Sequence, residues 1–527
     1  MTAPLPGDAA RTMGDIVTDN ARRFPDVVAY RLSDATVTHA ALRERAVQLV
    51  SAMARAGLRR QDRIAVMGRN SIEYGELYAA THLSGIILAT ISFRWSRGEV
   101  LDALRRVTPS IVFCDDEFAS MIGELTSELA DVPVIVSIGP RVWPHTIRYE
   151  DFLDGGAPGD LELTAKPEDI ASLLFTSGTT GAAKCCVLGH RELSRVAFSM
   201  NVEIRAGSND VGLINMPMFH FGAVAVIGGL HARSATVVLQ RQFDPAEAVT
   251  LIEKHNVTVL HLAPVMLQSL LDNVDGGAGL SSLRTIVYAA APMTPHTLRH
   301  ALSVLPDVGY LNLYGQTECI VSGLPRELHI LGDPKSERLL GSVGFPFPGV
   351  EIRVVDDFGG DVLRGQPGEV LVRSNAMFRG YWNDHAATAA TLRDGWCHSG
   401  DVGLVDGRGL LFLVDRKKDV IISGGENVYS PEVEDAVTEL EQVKACSVVG
   451  IPDRKWGEVV CAVAVIEPGS TLTLDEVQCK VREHLARYKV PRRMLIIDEL
   501  PVLASGKVDK KSLRHLVGER HLEVIHE

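Results

Sequence analysis

The sequence predicts an α/β protein with a large N-terminal domain of α/β sheets, a β-rich subdomain and a small α+β C-terminal domain. From residue 15 to about residue 414, apolar strand-like runs alternate with helical patterns, for example at 63–68, 71–85 and 86–91. This alternation is typical of helices packed on largely parallel sheets. After Gly349, strand-like runs follow one another across turns rich in Asp and Gly, which indicates the β-rich subdomain.

The other elements follow from the same two periodicities, because strands show short apolar runs and helices show longer stretches with apolar residues three and four apart. We expect strands at 170–175, 257–263, 283–292, 308–313, 350–357, 368–374 and 409–416, and helices at 243–256, from Thr294, and at 430–440.

A domain boundary is predicted in the charged run 414–419, which separates two apolar strands. The chain has 527 residues, 46% of them hydrophobic, and this exceeds what one compact core holds. We place the boundary after residue 417, which gives domains 1–417 and 418–527. The second domain contains a helix that opens with the capping pattern Ser430-Pro431-Glu432. A charged run is also what a solvated turn shows, so a hinge is one of two interpretations.

Charge and hydropathy exclude several classes of protein. The formal charge is −13, with 53 basic and 66 acidic side chains, and no basic block carries interleaved aromatic residues. Nucleic acid is therefore not an expected partner. No cationic start precedes an apolar stretch, and no segment approaches the roughly 18 uninterrupted apolar residues of a membrane helix. We expect no integral membrane segment and a soluble, cytoplasmic protein. The sequence leaves open whether the chain forms a homodimer.

The eight cysteines are scattered through the chain without a C-x-x-C pair, which favours reduced thiols. Cys185 and Cys186 follow the glycine-rich segment described next, and Cys319 lies beside a candidate carboxylate. Each is either a reactive thiol or a small buried hydrophobic side chain, and the second interpretation is favoured.

The segment FTSGTTGAAK, residues 175–184, follows the apolar strand 170–175 and is typical of a loop that holds a polyphosphate. Its glycines allow backbone conformations with positive φ that point N–H groups at an anion. The hydroxyls and the ammonium that would assist are those of Thr176, Ser177, Thr179, Thr180 and Lys184. An ordinary surface loop rich in Ser, Thr and Gly is the alternative. The pattern is not that of a P-loop NTPase, because Cys185 follows the lysine.

A second motif, Tyr314-Gly315-Gln316-Thr317-Glu318, follows the strand-like run 308–313. Ligands of α/β sheets collect at such strand ends. The aromatic ring can stack on a base, and the Glu318 carboxylate can help to hold Mg²⁺, which prefers hard oxygen ligands.

Two more motifs occur further along the chain, WCHSGD at 396–401 and PVLASGKV at 501–508. The four motifs resemble the signatures of the AMP-forming adenylate-forming superfamily, in its acyl- and aryl-CoA synthetase branch. The segments occur in the order of that superfamily and span residues from about 170 to about 510, so the resemblance covers essentially the whole chain. It implies ATP, Mg²⁺ and coenzyme A as cofactors, with a mobile C-terminal domain that carries the catalytic lysine.

The resemblance also implies roles for single residues. Asp401 and Arg416 would bind the ribose of ATP, and Lys418 would be the hinge. Lys507 would stabilise the negative charge that builds up when a carboxylate attacks the α-phosphate. The implied catalytic residues are Lys507, Glu318, His220, Thr180 and Lys184, and the implied metal-binding residues are Glu318 and Thr180.

Three further segments extend the resemblance. His220, in MPMFH, would lie between the ATP and carboxylate sites, AAAP at 289–292 would form the adenine wall, and the loop 423–431 would border the pantetheine channel of CoA. The implied cofactor-binding residues are Thr176, Ser177, Gly178, Thr179, Thr180, Gly181, Lys184, Ala290, Ala291, Asn312, Tyr314, Gly315, Gln316, Thr317, Asp401, Arg416, Gly424, Gly425 and Glu426. Ala183, Cys185 and Ala289 depart from the pattern of the superfamily, and the sequence leaves open whether they alter the affinity for ATP.

The acid-binding pocket is predicted to be apolar. Its implied residues are mainly apolar or small, and neither Lys nor Arg occurs among them: His220, Phe221, Gly222, Tyr288, Gly315, Ser322 and Gly323. This composition favours a hydrophobic monocarboxylic acid, fatty, aryl or alicyclic, over a dicarboxylic acid.

The resulting hypothesis is an acid–CoA ligase that forms an acyl-adenylate from ATP and then transfers the acyl group to CoA. Two alternatives remain. The enzyme could pass its acyl-AMP to a carrier protein or an amine, or the chain could be a non-catalytic nucleotide-binding module.

Overall fold

A computed structural model describes residues 11–141, 143–156, 163–176, 183–274, 276–293, 295–502 and 508–519. The chain forms two compact units. The N-terminal unit comprises residues 1–351 and 372–397, and the C-terminal unit comprises residues 352–371 and 398–527. The domain boundary predicted after residue 417 stays a prediction.

The described helices are α1 Met13–Arg23, α2 His39–Arg55, α3 Ile72–Ser84, α4 Arg97–Val107, α5 Ala119–Thr126, α6 Tyr149–Asp154, α7 His190–Ile204, α8 Phe221–His231, α9 Pro245–His255, α10 Pro264–Leu271, α11 Pro295–Val304, α12 Pro334–Glu337, α13 His385–Thr391, α14 Ser430–Thr438, α15 Leu474–His484 and α16 Lys510–Glu519. None of these described helices is both long enough and apolar enough to cross a membrane.

The described strands are β1 Val28–Leu32, β2 Ala35–Thr38, β3 Arg63–Met67, β4 Ile87–Ile91, β5 Ile111–Asp115, β6 Val134–Ile138, β7 Thr146–Arg148, β8 Ile170–Phe175, β9 Cys185–Gly189, β10 Val211–Ile214, β11 Thr236–Leu239, β12 Val259–Leu262, β13 Thr285–Ala289, β14 Gly309–Gln316, β15 Cys319–Leu324, β16 Phe345–Pro346, β17 Val350–Val355, β18 Gly368–Ser374, β19 Leu392–Arg393, β20 Trp396–Val405, β21 Leu411–Arg416, β22 Ile421–Ser423, β23 Glu426–Val428, β24 Val443–Asp453, β25 Gly457–Ile466 and β26 Arg493–Ile496.

Two large sheets organise the N-terminal unit. The first has nine strands in the order β16-β15-β14-β13-β12-β10-β11-β1-β2, and the second has seven in the order β7-β6-β5-β3-β4-β8-β9. Their central strands are parallel, and antiparallel pairs occur only towards the edges, at β1/β2, β14/β15/β16 and β8/β9. The predicted α/β class is therefore confirmed.

The C-terminal unit has its own sheet, in the order β23-β22-β25-β24 with β26 beside β25. Its core packs Val433 and Val437 of α14 with Val448, Val460 and other buried residues. A further five-stranded sheet, β17-β18-β20-β19 with β21 beside β20, contains the strands at which the chain passes from one unit to the other. The predicted β-rich section after Gly349 is confirmed by these strands.

Individual elements agree closely with the sequence. The strand predicted at 170–175 is β8, and the helix predicted at 71–85 is α3. Helix α3 begins where the Ser71 side chain accepts a hydrogen bond from the N–H of Tyr74. It ends at Gly85, whose φ of 75° is in the left-handed region that glycine adopts without strain.

The cap predicted at Ser430 is wrong. Helix α14 begins at Ser430, and its N-cap is Tyr429, whose N–H donates to the Glu432 carboxylate at 3.3 Å. Because the helix begins at Ser430 itself, this serine is the first helical residue and not the cap, and its hydroxyl donates to the Asp415 carboxylate at 2.9 Å.

Candidate active site

The base of the predicted phosphate loop is a closed antiparallel hairpin. Phe175 pairs with Cys185, and the N–H of Thr176 donates to the carbonyl oxygen of Lys184 at 2.8 Å. The loop itself lies outside the described residues, and so do the predicted site residues Ser177, Gly178, Thr179, Thr180, Gly181 and Lys507. Their roles stay predictions.

Three side chains meet beside this hairpin. Glu318 and Lys184 are predicted site residues, and Tyr381 is not. Glu318 is 8% exposed and lies in the two-residue turn between β14 and β15. The hydroxyl of Tyr381 donates to Glu318 Oε1 at 2.7 Å. The Nζ atom of Lys184 lies 4.7 Å from the centroid of the Tyr381 ring, which is a cation–π distance. Tyr381 therefore connects the predicted metal-binding carboxylate to the predicted phosphate-binding lysine, and we call these three residues the Tyr381 cluster.

Backbone pairing fixes the position of Tyr381. The N–H of Phe378 donates to the Glu318 carbonyl oxygen at 2.8 Å, and the N–H of Trp382 donates to that of Cys185 at 2.7 Å. Between them, Tyr381 forms a β-bridge with Cys186. One short segment thus holds both the turn that carries Glu318 and the strand that leaves the phosphate loop.

Burial determines the protonation of Tyr381 and of the two neighbouring thiols, Cys185 and Cys186. It raises the pKa of the Tyr381 hydroxyl, and the nearby negative charge of Glu318 raises it further, so the phenol keeps its proton and donates. Burial also raises the pKa of Cys185 to about 12, and it raises the pKa of Cys186 well above its usual range. Both thiols are protonated at neutral pH, which supports the interpretation as small buried side chains.

The predicted adenine wall follows β13. Ala290 is exposed and has φ 74°, a left-handed conformation that is uncommon for a residue with a Cβ atom. Asn312 pairs in register with Tyr288 on the neighbouring parallel strand, and Ala289 pairs with Leu313. The Ala290 and Ala291 backbone and the Asn312 side chain are thus at the same end of adjacent strands, although their contact with a base stays a prediction.

The last three residues of β14, Tyr314 to Gln316, are closely packed against β15. Tyr314 is 9% exposed, and Gln316 pairs with Cys319 across the turn that contains Thr317. A Cβ atom on Gly315 would come within 2.8 Å of the Cys319 carbonyl oxygen, so this position requires glycine.

His220 directly precedes α8, at the end of a loop that is held by three side chains: Asn70 after β3, Tyr78 on α3 and Thr90 on β4. Asn70 donates to the Met216 carbonyl oxygen at 3.0 Å and accepts from the Met218 N–H at 2.8 Å. The hydroxyl of Tyr78 donates to the Met218 carbonyl oxygen at 3.0 Å, and the hydroxyl of Thr90 donates to that of Phe219 at 3.1 Å. The sequence motif identified His220 but none of these three supporting residues.

The residues predicted to form the acid pocket differ from one another in position and in hydrogen bonding. Phe221 and Gly222 begin α8, and a Cβ atom on Gly323 would lie 2.9 Å from the Phe347 ring. Tyr288 is fully buried with its hydroxyl 2.9 Å from His329 Nε2, and the Ser322 hydroxyl donates to the Val343 carbonyl oxygen at 2.7 Å. The hydroxyls of Tyr288 and Ser322 already have partners, and the roles of both residues in acid binding stay predictions.

The C-terminal unit carries the predicted ribose-binding pair. Asp401 and Arg416 face each other in register on β20 and β21, and Arg416 Nε lies 2.6 Å from Asp401 Oδ1. Ser399 donates its hydroxyl to the Val370 carbonyl oxygen and accepts from the Asp401 N–H, which fixes the turn before the aspartate. The two predicted residues therefore form an ion pair in the structure, and their contact with a ribose stays a prediction.

The predicted hinge follows this pair. Lys418 is exposed, and three residues earlier Asp415 accepts hydrogen bonds from the backbone N–H and the hydroxyl of Ser430. Lys510 reaches the same serine hydroxyl and pairs with Glu434 at 2.8 Å. Partly buried polar contacts thus link the strand before Lys418 to α14, and α14 to α16.

The predicted CoA loop is a tight exposed turn between β22 and β23. Gly424 and Gly425 have φ of 62° and 87°, and the Gly424 N–H donates to the Trp456 carbonyl oxygen at 2.8 Å. Glu426 is exposed beside them. The two glycines leave the backbone of this turn accessible, because neither carries a side chain.

A Mg²⁺ ion would have few protein ligands at the predicted site. In the part of the chain that the structure describes, no group of three or more His, Cys, Asp or Glu side chains could hold a metal ion. Mg²⁺ in such sites is held by one or two carboxylates, while substrate phosphates and water supply the other oxygens. Glu318 provides one such carboxylate.

Two family models match the chain. The model of the AMP-binding enzyme matches residues 17–382, and that of the AMP-binding enzyme C-terminal domain matches residues 432–507. Since the first match alone covers more than half of the chain, this chain belongs to the family of AMP-binding enzymes.

The similarity to named relatives and to solved structures covers nearly the full length of this chain. The chain is 33% identical over 509 residues to a feruloyl-CoA synthase of Amycolatopsis sp, covering 96% of this chain and 99% of the relative. It is 34% identical over 513 residues to a methyl-dioxo-octahydro-indenyl-propanoyl:CoA ligase of Rhodococcus jostii, covering 94% and 96%. The structure of the amide bond synthetase McbA from Marinactinospora thermotolerans matches with a TM-score of 0.86 and 30% identity, covering 96% of this chain and 99% of that chain.

Proposed function

We propose that this AMP-binding enzyme is an acid–CoA ligase that activates a hydrophobic monocarboxylic acid as its acyl-adenylate and transfers the acyl group to CoA, releasing AMP and pyrophosphate. The observation that carries the proposal is the Tyr381 cluster, which brings a buried carboxylate and a lysine together at the base of the glycine-rich loop. Two relatives named as CoA ligases, each matched over almost its whole length, support the thioester as product.

In the first half-reaction a carboxylate oxygen attacks the α-phosphate of ATP, and pyrophosphate leaves. Lys184 and the hydroxyls and N–H groups of 176–181 would hold the phosphates. Glu318 would hold Mg²⁺, which when bound neutralises the charge of the phosphates. Lys507 would stabilise the charge on the α-phosphate, and loss of one such preorganised donor costs about 2.7–4 kcal/mol. Asp401 and Arg416 would orient the ribose.

In the second half-reaction the CoA thiolate attacks the acyl carbon, and AMP leaves. Domain 418–527 carries both Lys507 and the 424–426 loop. A rotation of this domain about Lys418 would withdraw Lys507 from the reacting groups and bring the 424–426 loop to them. This accounts for two successive reactions with one small domain. The exposed glycine turn at Gly424 and Gly425 supports a role in admitting the extended pantetheine arm.

The acid is proposed to be fatty, aryl or alicyclic. The described pocket residues Phe221 and Gly222 are apolar or small, and no Lys or Arg stands among the predicted pocket residues to pair with a second carboxylate. The feruloyl-CoA synthase relative favours an aryl acid, and the Rhodococcus relative favours an alicyclic one.

A second candidate is transfer of the acyl group to an amine. It is favoured by the similarity to an amide bond synthetase, whose fold matches this chain over almost its whole length. Both candidates share the adenylation step and differ in the nucleophile that attacks the acyl carbon.

Mass spectrometry of reactions with ATP, Mg²⁺ and a panel of fatty, aryl and alicyclic acids, with and without CoA, tests the proposal. We expect AMP and an acyl-CoA from the wild type and neither from the Lys507→Ala variant. Acyl-AMP that is converted by amines but never by CoA would favour the second candidate. Undiminished activity of Lys507→Ala would contradict the mechanism.

A further inference from the structure

A side chain from helix α4 reaches the backbone next to Lys184. The Nη1 atom of Arg106 donates to the carbonyl oxygen of Ala183 at 2.8 Å. The next carbonyl oxygen, that of Lys184 itself, accepts from the Thr176 N–H at 2.8 Å. Both peptide groups that flank the Cα atom of Lys184 are therefore anchored, one by the Arg106 side chain and the other by the backbone of the opposite strand.

The end of α4 is in turn tied to the segment that carries Tyr381. The Nε1–H of Trp382 donates to the Arg106 carbonyl oxygen at 3.2 Å, and the Trp382 N–H donates to the Cys185 carbonyl oxygen at 2.7 Å. Trp382 directly follows Tyr381, whose ring centroid lies 4.7 Å from Lys184 Nζ. One short segment thus contacts the end of α4, the strand after Lys184 and the ammonium group of that lysine.

The guanidinium group of Arg106 is divided between two acceptors. Its Nη2 atom pairs with the Asp102 carboxylate, one turn earlier on α4, at 2.9 Å, while Nη1 donates to Ala183. The Arg106 side chain is 25% exposed, so most of it is shielded from water. Hydrogen bonds from a charged donor are roughly twice as strong as those between neutral groups. The contact with Ala183 is therefore a strong restraint on the backbone before Lys184.

This restraint limits the directions in which the Lys184 side chain can leave the backbone. A lysine side chain has many rotamers, and binding an anion costs the entropy of those that are lost. Anchoring the backbone beforehand reduces this cost, since a preorganised group gives up less freedom when it binds. Loss of the Arg106 contact is thus expected to weaken the binding of the phosphates that Lys184 would hold.

We propose that Arg106 is a positioning residue for the phosphate site, where its hydrogen bond to the Ala183 carbonyl oxygen holds Lys184 in the orientation that binds the polyphosphate of ATP. The inference rests on the proposed function, because it adds a residue from outside the predicted site to the same ATP-dependent reaction. The pyrophosphate portion of ATP, which AMP lacks, is the part that Lys184 would hold.

Calorimetric titration of the full-length chain with ATP and Mg²⁺, and separately with AMP, tests the inference. Arg106→Met keeps an apolar stem on α4 and removes the hydrogen bond to Ala183. We expect the dissociation constant of ATP to rise about tenfold and that of AMP to change by less than about twofold. Arg106→Lys keeps a charged donor, so we expect it to bind ATP within about threefold of the wild type.

Asp102→Ala and Arg105→Met are matched controls on the same helix. Asp102→Ala breaks the same ion pair as Arg106→Met but leaves the guanidinium group in place to donate to Ala183. Arg105 pairs instead with Glu128, and its side chain is 56% exposed. Both controls are expected to change the dissociation constants of ATP and AMP by less than about twofold.

Equal weakening of ATP and AMP binding in Arg106→Met, as a general loss of structure would cause, would overturn the inference. Unchanged ATP binding in Arg106→Met would overturn it too, and so would an equal loss in Asp102→Ala. Should Arg106→Met not fold, Arg106→Gln replaces it with the same expectations, because its shorter side chain also loses the contact.

The titrations use neither the acid nor CoA, which separates the two proposals. A wild type that binds ATP but forms no thioester would count against the proposed function alone. A wild type that binds ATP while Arg106→Met binds it equally well would count against the role of Arg106 alone. A wild type that binds no ATP would contradict both.

Discussion

Asn70 and Asn215 occupy similar places and differ in every hydrogen bond. Both are buried, at 2% and 3% exposure, and each follows the carboxyl end of a parallel strand. Asn70 donates to two carbonyl oxygens and accepts from one N–H, whereas Asn215 has no partner in the described part of the chain. The comparison separates a side chain whose hydrogen bonds hold the His220 loop from one whose amide has no partner among the described residues.

The largest effect is expected from Asn70→Leu, which keeps the approximate size of the side chain and removes all its hydrogen bonds. The Met218 N–H and the carbonyl oxygens of Met216 and Gln240 would lose buried partners, at roughly 1–3 kcal/mol for each unsatisfied group. We expect the free energy of unfolding in urea to fall by about 3 kcal/mol and kcat/KM to fall by more than about tenfold. A variant that unfolds like the wild type would contradict the role of Asn70 as a clamp of the His220 loop.

Tyr381 resembles Asn70 in holding a predicted catalytic residue from a distant part of the chain. Tyr381→Phe removes the hydrogen bond to Glu318 and keeps the ring that Lys184 contacts. A hydrogen bond to a charged group contributes about 1.5–3 kcal/mol, so we expect the Mg²⁺ concentration for half-maximal activity to rise several-fold. Tyr149→Phe is a matched control, since Tyr149 also donates to a buried glutamate, Glu76, but lies outside the Tyr381 cluster. If both variants needed the same Mg²⁺ concentration for half-maximal activity, Tyr381 would have no specific role in Mg²⁺ binding.

The sequence predicts the strands and helices that carry the site, because their apolar periodicity is local. It also predicts Glu318 and Asp401, because each lies within a short contiguous motif. It does not predict Asn70, whose partners lie more than 140 residues along the chain, or Tyr381, which is 63 residues from Glu318. Those contacts depend on which strand ends become neighbours, and the strand order follows from packing of the whole sheet. For the same reason, the sequence gives no sign that His261 and Asn215 are unpaired.

His261 provides a test by pH. An unfolded histidine has a pKa near 6.5, whereas burial lowers the folded value to about 4. Between these values the unfolded chain binds more protons, so the free energy of unfolding decreases as the pH falls from 6.5 to 4. We expect His261→Leu to reduce this dependence by up to about 1.4 kcal/mol per pH unit. Urea unfolding at pH 4.5, 5.5 and 7 measures it, with His296→Leu as control. An unchanged slope would show that the imidazole is solvated or paired in the folded state.

The smallest expected effect belongs to Asn215→Leu, and its sign differs from that of Asn70→Leu. The substitution breaks no hydrogen bond to a described residue and replaces an unsatisfied amide by an apolar group of similar size. Replacing such a group is nearly neutral or stabilising, so we expect the free energy of unfolding without ligand to stay level or rise by about 1 kcal/mol. Urea unfolding of both leucine variants under identical conditions makes the comparison direct. A loss of more than about 2 kcal/mol in Asn215→Leu would mean that the amide is satisfied within the folded protein, and the difference between the two asparagines would disappear.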